Sequence, residues 1–205
     1  MKKILITITF IIFTTSIFAQ FGDLLRFNSG GMVNLQWNIA KPVGSMSDFV
    51  GNTSLSGFNI GYRHCYKNNF IIGGRTGLIS FYEYLGFTNV NVDNTTTYSR
   101  VENRVNAVPI LFIVDYMYNS DKLIPYVGIG IGTYFINTST TSDNVTLKSN
   151  NSFHFGVSPE VGITIPFIVS NFGLNLSSRY NYALGAGSSS GYSWFDFTIG
   201  ISFMY

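Results

Sequence analysis

Apolar and aromatic residues return at every second position through most of this chain. In the last such stretch Phe195, Phe197, Ile199, Ile201, Phe203 and Tyr205 alternate with Asp196, Thr198, Gly200, Ser202 and Met204. Alternation of this kind predicts a strand whose two faces meet different surroundings. Eight stretches obey it, over 33–39, 58–66, 72–82, 108–118, 127–135, 153–165, 172–182 and 195–205. The third is the least regular, with Arg75, Phe81 and Glu83 on its polar side. No helical periodicity appears beyond the N-terminal segment.

The connections sort into two kinds. Segments 41–56, 85–99, 137–150 and 185–191 are long or of middling length and polar, and those between them, 67–69, 119–123 and 166–171, are short. Barrels of the bacterial outer membrane have short periplasmic turns, longer outer loops and an even strand number. Val108 to Tyr118 and Phe195 to Tyr205 each span eleven positions, close to the ~9–11 residues of a tilted membrane strand. Tyr66, Tyr82, Tyr118, Phe153, Tyr182 and Tyr205 stand at strand ends, where aromatic girdles meet the interface. The predicted fold is all-β: an eight-stranded antiparallel up-and-down transmembrane β-barrel with both termini periplasmic. Lipid cannot hydrogen-bond an open sheet edge, so the sheet must close.

A soluble lipocalin-like barrel would turn the same apolar faces inward. Its exterior would then consist of Gly128, Gly130, Gly156, Ser158, Gly162 and similar residues, almost without Lys or Glu. Such a surface is poorly solvated. Inside a narrow barrel those small residues have a steric purpose.

Composition narrows the picture further. Only 11% of residues are charged and 17% are aromatic, against roughly 25% charged in ordinary soluble domains. The net charge of +2 without a basic run excludes a nucleic-acid partner. The opening "MKKILITITFIIFTTSIFAQ" has two lysines, an apolar run from Ile4 to Phe13 and a small residue at Ala19. This is the layout of a signal peptide over 1–19, leaving a barrel domain over 20–205. The run is shorter than the roughly 20 residues a spanning helix needs. Cys65 is the single cysteine, so no internal disulfide is expected.

With these residues in hand, the chain resembles the small outer-membrane β-barrel family of OmpA-, OmpX- and OmpW-like domains, in its Bacteroidetes-type form. The resemblance rests on the signal ending "FAQ", on "QWNIAKPVGSMSDF", "VPILFIVDYMY" and "PYVGIGIGTYF", and on the terminal aromatic of "ISFMY". It covers the whole mature chain and implies an outer-membrane location. It also implies that Tyr205, with Phe203, is read by the barrel-insertion machinery. Phe is the more usual last residue in that family, and Tyr stands here.

The alternation places Arg63, Arg75, Glu83, Asp115, Glu160, Arg179 and Asp196 on the face turned away from lipid. Opposite charges in one narrow lumen read as an electrostatic plug, in which pairing offsets burial. The alternative is a gated pathway for small solutes. His154 shares its face with Ser152 and Ser158, with Glu160 as its candidate orienting group. A Ser–His pair would suit a lipid A-modifying hydrolase, but that family's His-x-Ser order is broken by Gly156. No G-x-S-x-G, phosphate loop or metal-ligand spacing occurs, and no cofactor is expected. The expected partners are outer-membrane lipid and the insertion machinery. Loops 41–56, 85–99, 137–150 and 185–191 are the surfaces an extracellular partner would meet. The resulting expectation is a non-enzymatic, structural or loop-mediated role.

Deleting Tyr205, or replacing it with Asp, should impair insertion while secretion continues. Fractionation that finds the deleted form in the outer membrane at normal abundance would refute its role as a signal.

Overall fold

The computed structural model describes residues 30–67, 69–92, 95–118, 123–143, 145–167, 171–185, 187 and 190–205. The expected signal segment 1–19 lies outside the described residues. Eight strands follow in order: β1 (Gly31–Val43), β2 (Ser56–Lys67), β3 (Phe70–Val92), β4 (Thr95–Met117), β5 (Ile124–Ser142), β6 (Val145–Pro166), β7 (Phe172–Ala183) and β8 (Tyr192–Met204). One short helix, α1 (Ser45–Phe49), lies between β1 and β2. Each strand pairs antiparallel with its sequence neighbours, and β8 returns to β1 from Met32↔Met204 to Val43↔Ser193, closing the barrel. Within the closed ring no strand is an edge; above it, β3 past Ser80 pairs only with β4, and β6 before Gly156 only with β5.

The predicted facing holds on every strand. Phe112 and Phe197 are 50% and 57% exposed, while their near neighbours Asp115 and Asp196 are 1% exposed. Apolar side chains therefore cover the outside and charges fill the inside. His64 shares the outward face of Tyr62, on which it stacks at 6.4 Å, but is only 9% exposed; the β2–β3 register stays regular through it and shifts between Cys65 and Lys67.

Two expected loops are instead strand. β3 and β4 pair up to Val92↔Thr95, and β5 and β6 up to Ser142↔Val145. The described residues of segments 85–99 and 137–150 thus belong to two tall hairpins on the rim opposite the chain end. Their Thr and Val residues favour extended backbone, and pairing satisfies N–H and C=O groups that a loop would leave to water. Gly86, at φ +91°, takes up the register shift after Tyr84.

Segment 41–56 also differs from a free loop. Gly44, at φ +60°, turns the chain inward, and α1 lays Met46 and Val50 among Phe81, Val105, Tyr134, Ile136 and Trp194. Polar contacts fix it there: Asn103 Nδ2 donates to Phe49 O at 2.9 Å and Ser45 Oγ to Gly191 O at 2.8 Å. The interior is consequently layered. Met32, Ile71, Met117 and Tyr126 lie near the chain end, polar groups occupy the middle, and the Phe81–Trp194 cluster with α1 fills the far end.

Inward glycines make room for these side chains. A Cβ at Gly200 would strike the carbonyl of Leu35, and one at Gly162 would lie 2.5 Å from Tyr126 Cζ. Labelling probes must therefore avoid glycine positions. In a Cys65→Ser background, cysteines at Val161 or Ile199 should react with a lipid-soluble maleimide, and those at Ser158 or Thr198 should stay protected. The reverse pattern would turn the barrel inside out.

Candidate functional site

The middle layer collects polar groups from all eight strands. β1 supplies Gln36, β2 Arg63, β3 Arg75 and β4 Asp115. From the other half come Tyr126 on β5, Glu160 on β6, Arg179 on β7 and Asp196 on β8. The period of two sends every one of these side chains inward, and closure brings distant stretches of sequence within reach. All three arginines, with Asp115, Glu160 and Asp196, are buried to 5% exposure or less.

Glu160 is the hub. Its Oε2 accepts from Arg75 Nη1 in a very short contact, and its Oε1 accepts from Arg63 Nη2 at 3.1 Å and from the Tyr126 hydroxyl at 3.0 Å. Arg179 Nε stands 3.4 Å from the same oxygen. Arg63 also donates from Nε to Asp115 Oδ2 at 2.6 Å, and its guanidinium lies 4.8 Å from the centre of the Tyr126 ring. Ser158 Oγ accepts from Arg75 Nη2 at 2.9 Å. Three arginines face three carboxylates, so the layer is formally neutral while each arginine keeps several acceptors.

The β7–β8 side is held mainly by neutral groups. Arg179 Nη2 donates to Gln36 Oε1 in a short contact and to Thr198 Oγ1 at 3.2 Å. Asp196 lies across the ladder from Arg179, yet its bond is to Asn181 Nδ2, at 3.0 Å. Asn175 joins the remainder, accepting from Gln36 Nε2 at 2.6 Å and donating to Thr164 Oγ1 at 2.9 Å. These amides and hydroxyls stand on inward positions of the alternation. What the sequence could not supply was their distance across the barrel.

Glu83 does not join this layer. It faces inward as expected but sits at the far rim, where Oε2 accepts from Gly51 N at 2.6 Å. Its carboxylate therefore anchors the segment after α1. The expected orientation of His154 by Glu160 is also replaced. The ring is fully buried; Nδ1 donates to the Leu184 carbonyl at 2.7 Å, and Nε2 accepts from Ser152 Oγ at 2.7 Å. A carbonyl can only accept, which fixes the tautomer. Tyr192 packs edge-on against the ring at 5.2 Å, so the pair ties β6 to the β7–β8 connection.

At the chain end Phe203 points outward beside Phe172, with centroids 5.2 Å apart. Tyr205 stacks on Phe203 at 6.1 Å, and its backbone exchanges bonds with Gly31 at 2.8 and 3.0 Å. Among the described residues no group of three His, Cys, Asp or Glu side chains could hold a metal ion. The chemistry available to the layer is charge neutralisation, cross-linking of strands and exclusion of water.

No family model matches the sequence, and no curated protein matches it. Solved structures do. Neisserial surface protein A superposes with a TM-score of 0.53 at 14% identity, covering 84% of this chain and 96% of its own. The N-terminal β-barrel domain of Pseudomonas aeruginosa OprF gives a TM-score of 0.51 at 12% identity, covering 87% and 100%. The fold is therefore that of the small eight-stranded outer-membrane β-barrels.

Replacing Glu160 with Gln leaves three buried arginines around a neutral amide. Loss of one partner from a buried ionic group typically costs about 3–5 kcal/mol, and the midpoint of urea unfolding should fall accordingly. Glu83→Gln, which weakens one rim hydrogen bond, should cost about 1 kcal/mol. Equal effects of the two substitutions would refute the hub.

Proposed function

We propose that this chain is an integral outer-membrane β-barrel with a closed lumen and a structural or contact-making role at the surface. In this reading the N-terminal segment exports it, the chain-end rim faces the periplasm and the tall hairpins face outward. The observation that carries it is the inversion of the barrel: Leu35, Phe58, Ile110, Phe155 and Ile201 are each more than half exposed, while Arg63, Glu160 and Arg179 are buried. Leaving one large apolar side chain in water rather than burying it costs about 1.5–3 kcal/mol. An apolar surface running around a whole barrel suits hydrocarbon, since the largest apolar patch on a typical soluble monomer is only about 300–600 Å².

The closed lumen is supported by the layering. A solute entering from the far rim would meet α1, then the Trp194 cluster, then the ion pairs around Glu160. Displacing any of these exposes a buried charge or an apolar core, which disfavours the conduit reading. The surface role draws on the hairpins. Phe87 and Tyr98 stack at 5.7 Å on the outer part of β3–β4, and exposed aromatic side chains of this kind anchor protein contacts. Beside α1 and the β5–β6 hairpin lies a polar recess of about 510 Å³, lined in part by Thr138, Thr140, Lys148 and Tyr192. No catalytic activity is assigned, because the Ser152–His154 pair is packed under Tyr192 without a carboxylate behind it.

Single-channel recording on the refolded protein tests the closed lumen. Wild type should show no steady conductance, and replacing α1 with a glycine–serine linker should not open it while the ion pairs persist. A steady ion-selective current through the unmutated barrel would overturn the reading.

A further inference from the structure

The outward face of the β3–β4 hairpin changes character just above the apolar belt. From the chain end, outward residues of β4 run Tyr116, Val114, Phe112, Ile110 and Val108, then Asn106 and Arg104. Arg104 lies twelve positions beyond Tyr116. At about 3.4 Å per residue and a tilt of about 40°, that is about 30 Å along the membrane normal. The apolar band of such barrels is about 25 Å tall. Arg104 therefore stands just past the hydrocarbon, at the depth of lipid headgroups, and it points sideways into the bilayer plane rather than up into solvent.

Two arginines converge there on one tyrosine. Tyr82 lies across the ladder from Arg104, whose guanidinium sits 5.9 Å from the ring centre. Arg100 Nη2 donates to the Tyr82 hydroxyl at 3.2 Å, and its guanidinium lies 4.9 Å over the Tyr84 ring. Glu102 takes part of Arg100 at 2.5 Å, whereas Arg104 forms no ion pair among the described residues. Rings hold both cations in place, and a guanidinium keeps five N–H donors for an anion in its plane. Snorkelling would account for one long side chain reaching the interface. It does not require two guanidinium groups fixed around one phenol; Glu102 takes one edge of Arg100 and Asp143 Oδ1 its backbone N–H at 3.4 Å, while Arg104 keeps its own donors.

We propose that Tyr82, Tyr84, Arg100 and Arg104 form a docking site for the phosphate of a lipid headgroup in the leaflet at the far rim. The proposal rests on the membrane-barrel reading and adds a ligand to it. Phosphate is the anion that lipids present at this depth, and the arginine fork matches its oxygens in bidentate fashion. An acidic protein segment would approach the hairpin tips instead, since lipid flanks Arg104 from the side. The phosphate would accept from Arg104 and from the N–H groups of Arg100 that Glu102 and Tyr82 leave open, with the rings flanking the glycerol or sugar above the chains.

The test is a native mass-spectrometric titration of the detergent-solubilised barrel with phosphatidic acid, with diacylglycerol of the same chains and with inorganic phosphate. Wild type should bind phosphatidic acid in preference to the other two. The double variant Arg100→Gln/Arg104→Gln should bind it about tenfold more weakly, with an unchanged unfolding midpoint in the absence of lipid. Glu102→Gln should bind it about threefold more tightly, because the competing carboxylate is gone. Equal binding of diacylglycerol, equal capture of inorganic phosphate, or unchanged affinity in the double variant would each overturn the site. Cysteine labelling at Ile199 in vesicles separates the two levels. Labelled protein without phosphate preference sinks the docking site alone, and protein that lipid-soluble reagents cannot reach sinks the barrel reading and the site together.

Discussion

Burial of Glu160 among Arg63, Arg75 and Arg179 is the interaction on which the interior depends. A carboxylate and three guanidinium groups out of water would each cost several kcal/mol if alone. The barrel makes them tolerable by placing donors from β2, β3, β5 and β7 around a single acceptor on β6. Such a cluster exists only when the sheet has closed, because no two neighbouring strands hold more than a fraction of it. It thereby favours one register over slipped alternatives, since a one-residue shift would send these charges into the apolar outer face.

Space for the cluster comes from glycine. Gly128 lies opposite Asp115 on the β4–β5 ladder, and any side chain there would collide with the carboxylate. Gly162 does the same for Tyr126, the residue that hydrogen-bonds Glu160 and stacks with Arg63. Large and small inward residues alternate, and eight strands leave an interior just wide enough for such side chains to fill. The abundance of glycine and the scarcity of exposed charge are thus two sides of one arrangement. The interior takes the charges that it can pair, and the exterior is left to apolar residues.

The far rim shows how the same physics handles an open end. α1 is too short to be stable by itself, but Met46 and Val50 gain burial against Phe81 and Trp194, while Glu83 and Asn103 satisfy backbone groups beside it. The β3–β4 and β5–β6 hairpins carry the ladder past the apolar belt. The barrel wall continues as a more polar sheet above the apolar face, and the arginine–tyrosine cluster of Tyr82, Arg100 and Arg104 lies on that extension.

The sequence by itself determined the strands, their facing and the closed architecture, because a period of two is a local property and each residue's face follows from parity alone. It likewise placed Arg63, Arg75, Asp115, Glu160, Arg179 and Asp196 inward. Which of them meet was decided only by the tertiary structure: Arg179 bonds Gln36 from the opposite end of the chain, Asp196 bonds Asn181, and Glu83 leaves the group for the rim. Parity says nothing of height or of distance across a lumen. The hairpin extensions at 85–99 and 137–150 and the inward fold of 41–56 escaped the sequence for a related reason. Their polar residues read as loop, and what makes them strand or plug is a partner segment that pairing and burial supply only in the folded barrel.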